Sequence, residues 1–119
     1  PRMTHDEFIA LNLAWDVLVD GIAWSGGMTT MEALQCGLVP LTIPGRQMRT
    51  RHTHALVQEL ELPQLSVANQ EEWLKLGHIL ATNDDYRSTL VNLLEERLPR
   101  LWRQNKPLED FDSWLRSLW

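Results

Sequence analysis

Cysteine is almost absent from this chain: Cys36 stands alone. One thiol builds neither a disulfide framework nor a cysteine-based metal site, and it fits a reduced, cytoplasmic compartment. A surplus of positive charge is missing too. The 119 residues carry a formal net charge of -5, and basic side chains are scattered apart from Arg46, Arg49 and Arg51. That balance argues against a general nucleic-acid surface. No apolar run reaches the length of a membrane span, and no secretory leader is visible, so no membrane partner is expected. The histidines do not cluster: His52 and His54 are two apart and diverge on a helix, while His5 and His78 are isolated. No metal site and no cofactor are therefore expected. There is no internal repeat and no G-x-G-x-x-G dinucleotide fingerprint. The chain opens Pro1-Arg2-Met3 without an initiator Met, which reads as a processed chain or a fragment of something longer.

What is present is apolar mass. Hydrophobic residues make up 44% of the chain and include six Trp, enough for the core of one domain over 1–119. Residues 1–68 read as an α/β portion and 69–119 as a helical portion. Thr4 can cap a helix through Leu13, with Asp6 and Glu7 in its first turn and Phe8, Ile9, Leu11 and Leu13 as its apolar side. Val17, Leu18 and Val19, between Asp16 and Asp20, form a short buried strand. Ser25, Gly26 and Gly27 make a glycine-rich loop, and a helix runs from about Thr29 to a stop at Gly37. A second strand spans Leu38 to Ile43 and ends at Pro44-Gly45, which implies a parallel crossover.

A third helix is expected within Arg46 to Glu61, starting near Thr50 and carrying Ala55, Leu56, Val57 and Leu60, with Leu62-Pro63 as its stop. Leu65 to Ala68 fits a third, short strand. Asn69 caps a helix to about Ala81, with Trp73, Leu76, Ile79 and Leu80 on its apolar side. Asp84 or Asp85 caps the next, through Leu98, and Pro99 bends or ends it. After a turn at Lys106-Pro107, a terminal helix from Leu108 to Trp119 aligns Phe111, Trp114, Leu115, Leu118 and Trp119 for burial. Trp102, Trp114 and Trp119 either cluster between the terminal helices or cover an interface with another domain. Two or three parallel strands are few for an independent sheet, so the sheet expects a partner, either upstream chain or a second copy.

The stretch from Asp16 to Leu34 organises the rest. Strand, Gly-Gly and helix start together suit an anion, most naturally phosphate, because glycines admit close approach and a helix start offers unpaired N–H groups. The same pattern also serves a plain strand-to-helix connection. Arg51, after the second strand, can contact an anion or brace the loop. Arg46 and Arg49 read as solvated, Cys36 as a packed thiol. Trp24 either stacks on a base or sugar or packs at the loop's root.

At SGGMTTMEALQCGLVPLTIPG the sequence resembles the C-terminal catalytic half of the O-linked N-acetylglucosamine transferases and their SPINDLY-type relatives. The matching positions are Asp16 to Asp20, Gly26, Gly27, Thr29, Thr30, Glu32, Ala33, Leu34, Gly37, Val39, Pro40, Thr42 and Gly45, with Arg51 after them. The resemblance implies a GT-B glycosyltransferase, in which this chain is the later part of the nucleotide-sugar-binding domain. It implies a UDP-sugar donor, an acceptor protein or peptide with Ser or Thr hydroxyls, and a catalytic base outside this chain. It places Gly26, Gly27, Met28, Thr29 and Thr30 at the diphosphate, Glu32 at the ribose hydroxyls, and Arg51 as a possible further anion contact. Where the family carries a His or a further Thr in the loop, Gly27 and Met28 stand here, which keeps backbone contacts and removes a side-chain one. The other reading of the chain is a non-catalytic helical interaction module or a degenerate nucleotide-binding one.

Overall fold

Helix α1 (His5–Leu13) begins after Thr4, the expected cap, which the structure shows to be part of a capping box. Thr4 Oγ1 accepts from the Glu7 amide at 3.3 Å, and Glu7 Oε2 accepts from the Thr4 amide at 2.7 Å. The structure, a computed structural model, describes residues 2–102 and 105–119. The buried face of α1 is not the expected one. Phe8 and Ile9 are half-buried, but Leu11 and Leu13 are exposed and Asn12 is buried. Asn12 lies four residues after Phe8 and three after Ile9, so it shares their face; Leu11 and Leu13 fall beside it.

Strands β1 (Val17–Val19) and β2 (Val39–Leu41) pair in parallel, with Val17 opposite Val39 and Val19 opposite Leu41. Helix α2 (Met28–Gln35) crosses between them and ends at Gly37, whose φ of 86° needs a glycine. Strand β2 is buried throughout, whereas β1 is an edge strand with Val19 exposed. The third strand is reduced to one parallel bridge, Thr42 to Ser66. Thr42 N donates to Leu65 O and Val67 N donates to Thr42 O, at 3.1 and 3.0 Å. Pro63 opens a 3-10 turn that takes Leu65, and Asn69 caps the following helix, so only residues 66–68 remain to extend.

The third expected helix is split. A 3-10 turn at Met48–Thr50 precedes α3 (His52–Glu59), and Arg51 separates them with φ -133°. Glu61, at φ 55°, turns the chain before Pro63 is reached, and Arg97 fixes that turn by donating to Leu60 O and Glu61 O. Helix α4 (Gln70–Thr82) is capped by Asn69 as expected. Helix α5 (Asp84–Arg97) is capped by Asn83, not by either aspartate: Asn83 Oδ1 accepts from Tyr86 N at 2.9 Å, and Asp84 and Asp85 sit inside the first turn. Pro99 opens a short helix α6 (Pro99–Trp102). Pro107 lies in the first turn of α7 (Lys106–Arg116), where a missing N–H loses nothing, so the expected turn is helical.

Leu34, Val39, Leu41, Val57, Leu60, Leu62, Leu65, Leu80, Leu90 and Leu94 form one core, with β2 at its centre between α2, α4 and α5. Trp73 and Leu76 pack against it, but Ile79 is exposed. The terminal helix forms as expected, but its apolar side is not buried. α7 buries none of its residues, and Phe111, Trp114 and Trp119 are 56%, 55% and 105% exposed. Trp102 is exposed as well, and among the described residues no buried tryptophan cluster closes the chain. Amphipathic spacing creates an apolar face; it does not supply a surface to cover it. Among the described residues, no helix is long and apolar enough to cross a membrane.

Candidate functional site

The strands β1 and β2 end side by side, and Asp20 and Thr42 are the first residues after them. Asp20 is buried, and its carboxylate accepts three hydrogen bonds: from Ser25 Oγ at 2.8 Å, Thr42 Oγ1 at 2.7 Å and Gly26 N at 2.9 Å. A buried charge persists only when its lone pairs are satisfied, and here they draw the loop back onto the sheet. A chain of hydroxyls continues from Ser25. Thr53 N donates to Ser25 Oγ at 2.9 Å, Ser25 Oγ lies 3.1 Å from Thr53 Oγ1, and Thr30 Oγ1 lies 3.0 Å from Thr53 Oγ1. Ser25 N donates to Arg49 O at 2.8 Å. The first turns of α2 and α3 are thereby held to one loop.

Gly26 is required by this packing. A side chain on it would run into the hydroxyls of Thr30 and Thr29. Gly27 faces open space, the nearest atom to a Cβ there being His52 Nδ1 at 3.9 Å. Gly27 is the residue before α2 and caps it without a side-chain hydrogen bond. Among the described residues, the amides of Gly27, Met28 and Thr29 meet no protein acceptor, whereas Thr30 N and Met31 N donate to Gly27 O at 3.1 and 3.2 Å. Met28 and Thr29 are exposed. The loop therefore presents a row of three open N–H groups at a positive helix end, which suits an oxyanion.

The other sequence-derived residues fall around this row. Thr30 is buried, and its hydroxyl faces inward to Thr53. Glu32 lies one turn into α2 and keeps part of its carboxylate accessible, 3.6 Å from His5 Nδ1; His5 is thus not isolated. Arg51 is exposed and lines a groove of about 710 Å³ with Arg46, His52 and His54. Trp24 does not pack at the loop's root: it is 70% exposed, with the Arg49 guanidinium 5.8 Å from its ring centroid. Sequence reasoning named Ser25, Thr42 and Asp20 without giving them this network, and it left out Thr53. The network's signal was an aspartate at a strand's carboxyl end and three hydroxyl residues in the same half of the chain.

The fold has a counterpart among solved structures. A lysine-to-methionine mutant of an O-GlcNAc transferase from Thermobaculum terrenum is similar over 96% of this chain, with a TM-score of 0.84 and 26% identity. The fold is O-GlcNAc transferase-like. The chain spans 22% of the length of that transferase. No family model and no curated protein matches it. The expected partial Rossmann-like parallel sheet, flanked by helices and followed by a helical half, is the architecture seen in this O-GlcNAc transferase-like fold.

Proposed function

We propose that this chain is the donor-binding portion of a glycosyltransferase that moves N-acetylglucosamine, or a related sugar, from a UDP-sugar to protein Ser or Thr hydroxyls. The observation that carries this reading is the row of open amides at Gly27 to Thr29, within a fold similar over 96% of its length to part of an O-GlcNAc transferase. In this role the amides stabilise the charge that develops on the departing diphosphate. Glu32 accepts from the two ribose hydroxyls, and Arg51 adds a basic contact. The chain belongs to the later part of a GT-B C-terminal domain and works in the cytoplasm. It relies on a catalytic base and an acceptor site contributed by a further domain, so by itself it transfers no sugar. The exposed apolar face of α7 supports a second reading, a non-catalytic protein-interaction module.

Titration with UDP, UDP-N-acetylglucosamine, GDP-fucose and NAD, followed through backbone amide shifts, tests the proposal. Shifts confined to Gly26 through Glu32 with a uridine diphosphate are expected. A folded chain whose loop responds to none of the four ligands leaves the interaction module standing.

A further inference from the structure

We infer that His52 forms the second wall of the diphosphate site and donates from Nε2 to a phosphate oxygen; this rests on the donor-binding reading above. His52 is the first residue of α3, and the bond from Thr53 N to Ser25 Oγ fixes that turn against the loop. The half-buried ring of His52 places Nδ1 3.4 Å from Ser25 O. The same nitrogen is the nearest group to the space in front of Gly27. With Nδ1–H given to Ser25 O, Nε2 is the ring nitrogen left for the groove that His52 lines with Arg46 and Arg51. His52 Nδ1 lies 3.9 Å from where a Gly27 side chain would begin, so the imidazole stands next to the first of the open amides.

Donating to Ser25 O and to a phosphate oxygen together requires a ring that carries both N–H protons. That imidazolium donates from both nitrogens, one to Ser25 O and one to the phosphate. The titratable groups facing it are Arg46, Arg51, His54 and Glu59 in the groove, and Asp20 behind Ser25 on the loop side. His54 is held elsewhere, its Nδ1 2.7 Å from Ser66 Oγ. Among the groove's two histidines, His52 is thus the one that abuts the loop.

The test compares UDP with UMP on the wild-type chain, His52→Ala and His52→Gln, following loop amides and the imidazole nitrogens by NMR. In the wild type, UDP is expected to shift the Gly27 to Thr29 amides together with His52 Nε2. His52→Ala is expected to narrow the affinity gap between UDP and UMP about tenfold, the size of one charge-assisted hydrogen bond. His52→Gln, which keeps an N–H at the same reach, recovers part of that gap. If UDP shifts the amides but His52 Nε2 stays put, or the gap is unchanged in His52→Ala, this inference fails and the donor-binding reading survives. A wild-type loop that ignores UDP overturns both. Should His52→Ala not fold, the Nε2 shift and His52→Gln decide.

Discussion

Removing the Asp20 carboxylate should loosen the loop more than any other single change in the α/β half. In Asp20→Ala, three donors lose their acceptor. Thr42 and Ser25 are 0% and 1% exposed, so water cannot replace it for their hydroxyls. Ser25 Oγ can turn to Thr53 Oγ1 at 3.1 Å, while Thr42 Oγ1 has no second acceptor among the described residues. Hydrogen bonds to a charged group contribute about 1.5–3 kcal/mol each, and a buried donor left unpaired costs about 1–3 kcal/mol. These terms overlap, and the carboxylate's own burial is relieved, so the expected net loss is roughly 3–5 kcal/mol. Asp20→Asn keeps one oxygen for the Gly26 amide and lets both hydroxyls rotate to accept from its NH₂ group, so it should cost only about 1–2 kcal/mol. Urea unfolding followed by far-UV circular dichroism measures both variants against the wild type. An Asp20→Ala protein within about 0.5 kcal/mol of the wild type, the range of ordinary surface substitutions, would refute the reasoning. So would an Asn variant less stable than the Ala variant.

Gly26→Ala should destabilise by about 1–3 kcal/mol, because the new methyl meets the Thr30 and Thr29 hydroxyls, while Gly27→Ala, with its nearest neighbour 3.9 Å away, should change unfolding by about 0.5 kcal/mol or less. Equal losses would show that the loop can shift to make room. Glu32→Ala should weaken UDP binding by roughly 1–3 kcal/mol in calorimetric titration; an unchanged affinity would return Glu32 to a helix-start role. The Glu7 carboxyl is held below its ordinary value, chiefly by the Thr4 amide and then by the Thr4 hydroxyl. Its support of α1 is present above that ordinary value and is lost as pH falls through the lowered one. The Thr4 amide resonance should therefore move with that acidic titration in the wild type and stay still in Glu7→Gln.

What was legible in the sequence was local. The Thr4 cap, the Asn69 cap and the Gly37 stop each act over a few residues, and each is where the residue types place it. Errors of capping were also local: Asn and Asp both cap well, and nothing in Asn83-Asp84-Asp85 says which is first outside the helix. The hydroxyl network was hidden for a different reason. Thr53 and Ser25 are 28 residues apart, and no periodicity links them. Glycines and threonines were read as ligand contacts, yet Thr30 faces Thr53 and Gly26 is there to clear a hydroxyl. For α7 the spacing told which side is apolar, but burial depends on what meets that side.

The loop's hydroxyl chain also has a direction. An ionised carboxylate only accepts, so the Ser25 hydroxyl proton points toward Asp20, while Thr53 Oγ1 donates to Gly26 O at 3.4 Å. That orientation is set by the apoprotein before any ligand arrives. Gly26 N–H, locked to Asp20, should exchange slowly with deuterated solvent, while the neighbouring Gly27, Met28 and Thr29 protons exchange freely. Such a boundary, one peptide wide, would mark a surface whose donors are rigidly aimed yet fully wet.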